Sequence, residues 1–240
     1  VAQIKAVPLA GGDIELKWSP AEDRVSGLNF YRVYRWIEGQ KPKLISTDGE
    51  VKEISYVDKG GQLQENTVYY YSIHAVDKMG NEQFEGNATA ACLSDASVGT
   101  PQVSSPTHSS DDWSSNPLPV LSWLPPSDAT GIVGYYYAFD LSPNTKLNGE
   151  NGIFVNKTRL ELPKQESGVW YFHLVAKDRA GNISEQTAHY KVKIDVQKPE
   201  APHVVSTSHP DRERWYSETQ VDIKIDSAPK LSGIDCYYHL

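Results

Sequence analysis

Along this chain apolar side chains recur at every second position. Ile14-Glu15-Leu16-Lys17-Trp18 alternates strictly, and Tyr69, Tyr71, Ile73 and Ala75 alternate with Tyr70, Ser72 and His74. Successive side chains of an extended backbone leave opposite faces, so this spacing buries one face and wets the other. The runs are short, rich in aromatic and β-branched residues, and punctuated by Gly, Asn, Asp and Pro. No helical stripe of apolar residues exceeds two turns. The pattern predicts an all-β chain of antiparallel β-sandwiches, about seven strands to each hundred residues.

The alternation is carried by an internal repeat. Trp18, Asp23, Gly27 and the Tyr31-Arg32-Val33-Tyr34 run return as Trp123, Asp128, Gly131 and Tyr135-Tyr136-Tyr137. Further on, Tyr69-Tyr70-Tyr71 leads to Asp77, Gly80 and Asn81, and Trp170-Tyr171-Phe172-His173 leads to Asp178, Gly181 and Asn182. A third copy opens with His209 and Trp215, matching His108 and Trp113. It continues through Ser232-Gly233-Ile234 to Tyr237-Tyr238 and stops at Leu240. The expected units are residues 1–97, 101–197 and the incomplete start of a third repeat at 203–240. Short Pro-bearing linkers, Ser97–Pro101 and Val196–Pro202, separate them and favour an extended, semi-rigid string. About 40 residues cannot close a sandwich alone, so the third copy is expected to be completed by more of its own chain or by another chain.

These residues carry a family resemblance. Trp18 at the end of the second strand, Tyr31–Val33 in the third, and Leu63 six residues before Tyr69 resemble a fibronectin type III domain. In that family the Tyr hydroxyl ties back to the chain just upstream, the tyrosine corner. Residues 101–197 and 203–240 resemble fibronectin- or Ig-like repeats of large bacterial surface and secreted proteins, through Trp170-Tyr171-Phe172-His173 and Asp178…Gly181-Asn182. Trp170 replaces the corner tyrosine there. The resemblance implies end-to-end sandwiches in an extracellular or cell-surface protein, with neighbouring domains of a longer chain as partners.

Composition narrows the chemistry. The 240 residues carry a formal charge of −8, spread over all three segments. No basic cluster exists to meet a phosphate backbone, so nucleic acid is excluded as a partner. No apolar run is long enough for membrane insertion by a helix. Cys92 and Cys236 lie in different repeats and are expected to stay unpaired. The seven histidines are scattered, without metal-ligand or nucleophile spacing, and no phosphate or dinucleotide loop occurs, so neither enzyme activity nor a cofactor is expected. Asp77…Asn81 and Asp178…Asn182 read as turns: one Asp and one Asn supply too few oxygens for calcium, and no metal site is expected. Asp95 alone, or Asp195 with Glu200, makes no acidic cluster between domains.

Two features point to recognition. If Tyr135 and Tyr137 face inward, then Tyr136, Tyr171 and His173 share the outer face of one sheet, an aromatic patch for a glycan or protein ligand. His108 and His209 precede Trp113 and Trp215 at the mouth of each repeat; structural capping is the simpler reading of a feature repeated at a fixed offset. The expectation is a non-catalytic structural or spacer segment of an extracellular bacterial multi-domain protein, with adhesion or self-assembly as its context. The alternatives are a carbohydrate- or protein-binding module, and accessory domains of a secreted hydrolase.

Overall fold

The first sandwich assembles from seven strands: β1 (Ile4–Pro8), β2 (Ile14–Trp18), β3 (Leu28–Trp36), β4 (Lys43–Leu44), β5 (Ser55–Asp58), β6 (Thr67–Asp77) and β7 (Thr89–Ser94). They form two antiparallel sheets, ordered β1-β2-β5 and β4-β3-β6-β7. The alternating positions bury as the period of two requires: Ile14, Leu16 and Trp18 from one sheet meet Tyr31, Val33, Tyr69, Tyr71 and Ile73 from the other. This computed structural model describes residues 1–46, 50–211, 213–226 and 230–236.

The second sandwich repeats the plan with β8 (Gln102–Ser104), β9 (Trp113–Ser114), β10 (Val120–Leu124), β11 (Ile132–Asp140), β12 (Ile153–Val155), β13 (Arg159–Glu161), β14 (Gly168–Asp178) and β15 (Ala188–Ile194). Its sheets are β13-β10-β8 and β12-β11-β14-β15-β9. The extra strand β9 runs parallel to β15, placing Trp113 beside Lys193. A separate core gathers Leu121, Trp123, Tyr135, Phe172, Leu174 and Val192.

Repetition extends to packing detail. Trp18 meets Tyr31 edge-on, with ring centroids 5.3 Å apart, and Trp123 meets Tyr135 the same way at 5.4 Å. Both sandwiches break register just after the Gly-containing turn, between Leu28 and Phe30 and between Ile132 and Gly134. Each fully buried aliphatic or aromatic side chain contributes about 1.5–3 kcal/mol.

The crossover between sheets is closed differently in the two copies. In the first, the Gln64 amide donates to the Tyr69 hydroxyl at 2.8 Å, which is the tyrosine corner. In the second, the Trp170 indole N–H donates to the Glu166 carbonyl at 3.1 Å. The polarity is reversed, yet the strand is still tied to the segment just before it.

Of the third copy, the described residues form one hairpin, β16 (His203–Ser206) with β17 (Ile223–Asp226). The sequence pattern led us to expect about three strands; Tyr237 and Tyr238 lie outside the described residues. Ile223, Ile225 and Trp215 are exposed, because nothing among the described residues forms the facing sheet.

Candidate functional site

The repeated Asp…Gly-Asn turns are built alike. Asp77 Oδ1 accepts the Met79 and Asn81 amides, and Asn81 Nδ2 donates to Asp77 Oδ2 at 2.8 Å. Asp178 Oδ1 accepts the Gly181 and Asn182 amides, each at 2.7 Å, and Asn182 Nδ2 donates to Asp178 Oδ2 at 2.7 Å. Gly80 (φ 91°) and Gly181 (φ 99°) occupy the left-handed region that closes such a turn. What differs is the surroundings. Asn81 is exposed, whereas Asn182 is only 6% exposed, because the first sandwich docks on it.

The second turn is thereby part of the junction between sandwiches. Asn182 Oδ1 accepts the Gly11 amide at 2.8 Å, and Asn182 Nδ2 donates to the Asp95 carbonyl at 2.9 Å. Ser184 Oγ donates to the Gly99 carbonyl at 2.7 Å and accepts the Ala176 amide at 2.9 Å. Val98, from the linker, is buried in the second core. Both asparagine functions are therefore satisfied across the interface, as buried polar groups require.

The junction also collects charge. One carboxylate oxygen from each of Asp95, Asp128 and Asp178 lies within 4.8 Å of the others. Asp95 follows β7, Asp128 lies between β10 and β11, and Asp178 ends β14. Asp95 and Asp178 are each 1% exposed. Burial, reinforced by the neighbouring Asp95 charge, lifts Asp178 above the usual carboxylate range despite its hydrogen bonds from Asn182 and Gly181. Two like charges about 5 Å apart repel by about 3 kcal/mol at an effective dielectric near 20. The sequence reading found only Asp95 at this boundary. It missed the cluster because Asp128 and Asp178 come from turns about 30 and 80 residues further on, and only docking brings them together.

The aromatic face is a correction. Tyr136 and Tyr171 lie on the outer face of β11 and β14 as expected, but both are half-buried, and His173 is fully buried. The segment between β11 and β12 folds over that face. Leu147 is buried there, and its amide donates to Thr187 Oγ1 at 3.0 Å. Thr145 Oγ1 donates to Asp140 Oδ2, and Gly149 lies so close to Ile183 and Tyr136 that a side chain there would have to displace the end of Ile183. His173 spends both ring nitrogens inside, on His189 Nδ1 at 2.7 Å and Asp140 Oδ1 at 3.3 Å. Alternation along a strand assigns a face; it does not reveal a loop that covers it. The first sandwich shows the same effect: Glu82, paired with Arg32 and bonded to Tyr34 and His74, covers the outer side of β6, joined by Phe84 against His74.

The remaining residues singled out from the sequence have structural positions. Trp18, Trp123 and Tyr69 are core residues, and Trp170 stacks on Phe139 beside the second core. His108 is buried, with Nε2 donating to the Asn116 carbonyl at 2.9 Å and its backbone amide donating to Ser105 Oγ. His209 repeats this with Glu218 and Ser206. Cys92 is buried and Cys236 exposed, and neither is in a disulfide.

No family model and no curated protein matches the chain. Solved structures do. The FN1–FN3 domains of chicken CNTN1 align at 17% identity and TM-score 0.47, over 80% of this chain and 66% of that one. The fibronectin(III)-like modules of Clostridium thermocellum CbhA align at 15% identity and TM-score 0.43, over 84% and 100%. A two-domain fibronectin type III segment of chicken tenascin aligns at 18% identity and TM-score 0.33, over 80% and 97%. These similar structures are fibronectin type III domains. On its own strand order and its tyrosine corner, the first sandwich has that fold, and the second is a variant with an added edge strand.

Proposed function

We propose that this chain is a connector: a non-catalytic structural stretch of a longer extracellular, bacterial surface or secreted protein, whose docked sandwiches hold neighbouring domains at a set spacing and angle. Tandem β-sandwiches of this kind are structural or binding modules, and the fold alone does not choose between them. The observation that favours a connector is Asn182, which spends its side-chain oxygen and one N–H on backbone groups of the preceding sandwich. A freely jointed linker would leave those groups to water. The junction instead buries them, which resists rotation of one sandwich against the other.

Backbone 15N relaxation of the whole chain tests this. A connector requires residues 1–97 and 101–197 to tumble with one shared rotational tensor. Two independent tensors, each with the correlation time of a single sandwich, would refute it.

A further inference from the structure

We propose that the Asp95–Asp128–Asp178 cluster is a calcium site that joins the two sandwiches. Asp95 carries the inference. It is 1% exposed, and among the described residues its carboxylate makes no hydrogen bond and its buried Oδ2 has no partner. A buried carboxylate oxygen with neither donor nor cation is among the costliest groups a fold can hold. Yet this one sits with two further carboxylates, their oxygens within 4.8 Å of one another. None of the three makes an ion pair among the described residues. Asp128 Oδ1 accepts the Thr130 and Gly131 amides and Asp178 is bonded by its own turn, so Asp95 is the carboxylate without a donor. A cation supplied from solution would give Asp95 a partner and offset the charge of all three.

The second junction shows what the chain does when it supplies its own. Asp195 follows the last strand of the second sandwich as Asp95 follows that of the first. Aligned on Gly131 and Gly233, the position of Asp128 is occupied in the third copy by Lys230. Lys230 Nζ lies 3.5 Å from Asp195 Oδ2, and the same oxygen accepts the Ser232 hydroxyl at 2.5 Å. At one junction a lysine neutralises the buried aspartate. At the other the equivalent position adds another negative charge.

The donor set selects the ion. All three ligands are carboxylates, with no His or Cys nearby in the cluster, so a hard cation is favoured over zinc or copper. A polar cleft of about 290 Å³, lined by Glu65, Asn66, Ser97 and Asp128, opens beside Asp95 and gives an ion and its waters a way in. Three carboxylates plus water reach the six to eight oxygens that calcium takes, without the strict octahedron magnesium demands. Binding rests on this geometry alone; only its effect on joint stiffness rests on the connector reading.

The test is an NMR titration of the chelator-stripped 240-residue chain with CaCl2. We expect amide shifts at residues 95–99, 127–131 and 178–182 that saturate together, with a Kd of about 0.1–1 mM, and a weaker response to MgCl2. Asp95→Asn should weaken binding by about 10-fold or more. Asp128→Lys, which copies the second junction, should abolish it while preserving the dispersed spectrum. Asp23→Asn, the counterpart turn in the first sandwich, should leave it unchanged. Absence of shifts at about 10 mM calcium, shifts elsewhere, or undiminished binding in both cluster variants would overturn the site. Calcium binding together with two independently tumbling sandwiches would keep the site and refute the connector.

Discussion

Asn182 and Asp95 belong to different sandwiches, yet the Asn182 side-chain amide donates to the Asp95 carbonyl at 2.9 Å inside the buried junction. The equivalent Asn81 holds only its own turn. The two residues are therefore a matched pair for mutagenesis. Asn182→Ala leaves the Gly11 amide and the Asp95 carbonyl unpaired and should cost about 2–3 kcal/mol. Asn81→Ala should cost about 1 kcal/mol or less, since water replaces the lost bonds. Urea unfolding of both variants measures the difference.

A second prediction concerns the buried ion pair of the first sandwich. Arg35 reaches both oxygens of Asp58, at 2.8 and 2.9 Å, and the Tyr71 hydroxyl donates to Asp58 Oδ2 at 2.8 Å. Burial, together with the Asp58 charge, pushes the Tyr71 hydroxyl well above the usual phenol range. Asp58→Ala strands the guanidinium and the phenol, and should destabilise the first sandwich by about 3 kcal/mol. Tyr71→Phe keeps the ion pair and should cost about 1–2 kcal/mol. Equal losses in the two variants would mean that the pair is not the organising contact.

Acid should weaken the Asp77 turn. Hydrogen bonds from Asn81 and Ser26 hold Asp77 at about 2, below its ordinary 3.8. A carboxylate depressed by folding contributes stability that is complete above its unfolded value and is lost as pH falls through the folded one. The Asp77 contribution should therefore fade between about pH 4 and about pH 2. Glu82 acts in the same sense: burial raises it, but bonds from Tyr34, Arg32 and His74 outweigh that and leave it lowered. Asp77→Asn should flatten the stability profile in this window, as read by thermal melts from pH 5 to pH 2.

The thiols should differ sharply. Burial pushes Cys92 up to about 11, while Cys236 is exposed. Thiolate is the reactive form, so a disulfide reagent should modify one thiol per native chain and two after denaturation. Two fast thiols in the native state would show that β7 opens readily.

Much of the fold was legible in the sequence because alternation and turn residues act locally. Trp18, Tyr71 and Phe172 are buried where a period of two places them. Tyr69 was legible as a corner because Leu63 marks the same short crossover. Burial of His173 was not legible, since the segment between β11 and β12, which folds over that face, has no periodicity of its own. Nor was the Asp cluster, whose members lie in turns that are unremarkable separately. Asp178 closes its own turn, and the same carboxylate also faces Asp95. One local pattern can serve two purposes, and only tertiary packing shows the second.

The fixed joint is tested most directly by a distance between the two sandwiches. Spin labels at Lys41→Cys and Lys157→Cys, both exposed positions, with Cys92→Ala and Cys236→Ser in the background, report that distance by pulsed electron resonance. A docked junction predicts one narrow distribution in the otherwise native chain and a broad one after Asn182→Ala. A broad distribution before that change, unaltered by it, would contradict the account.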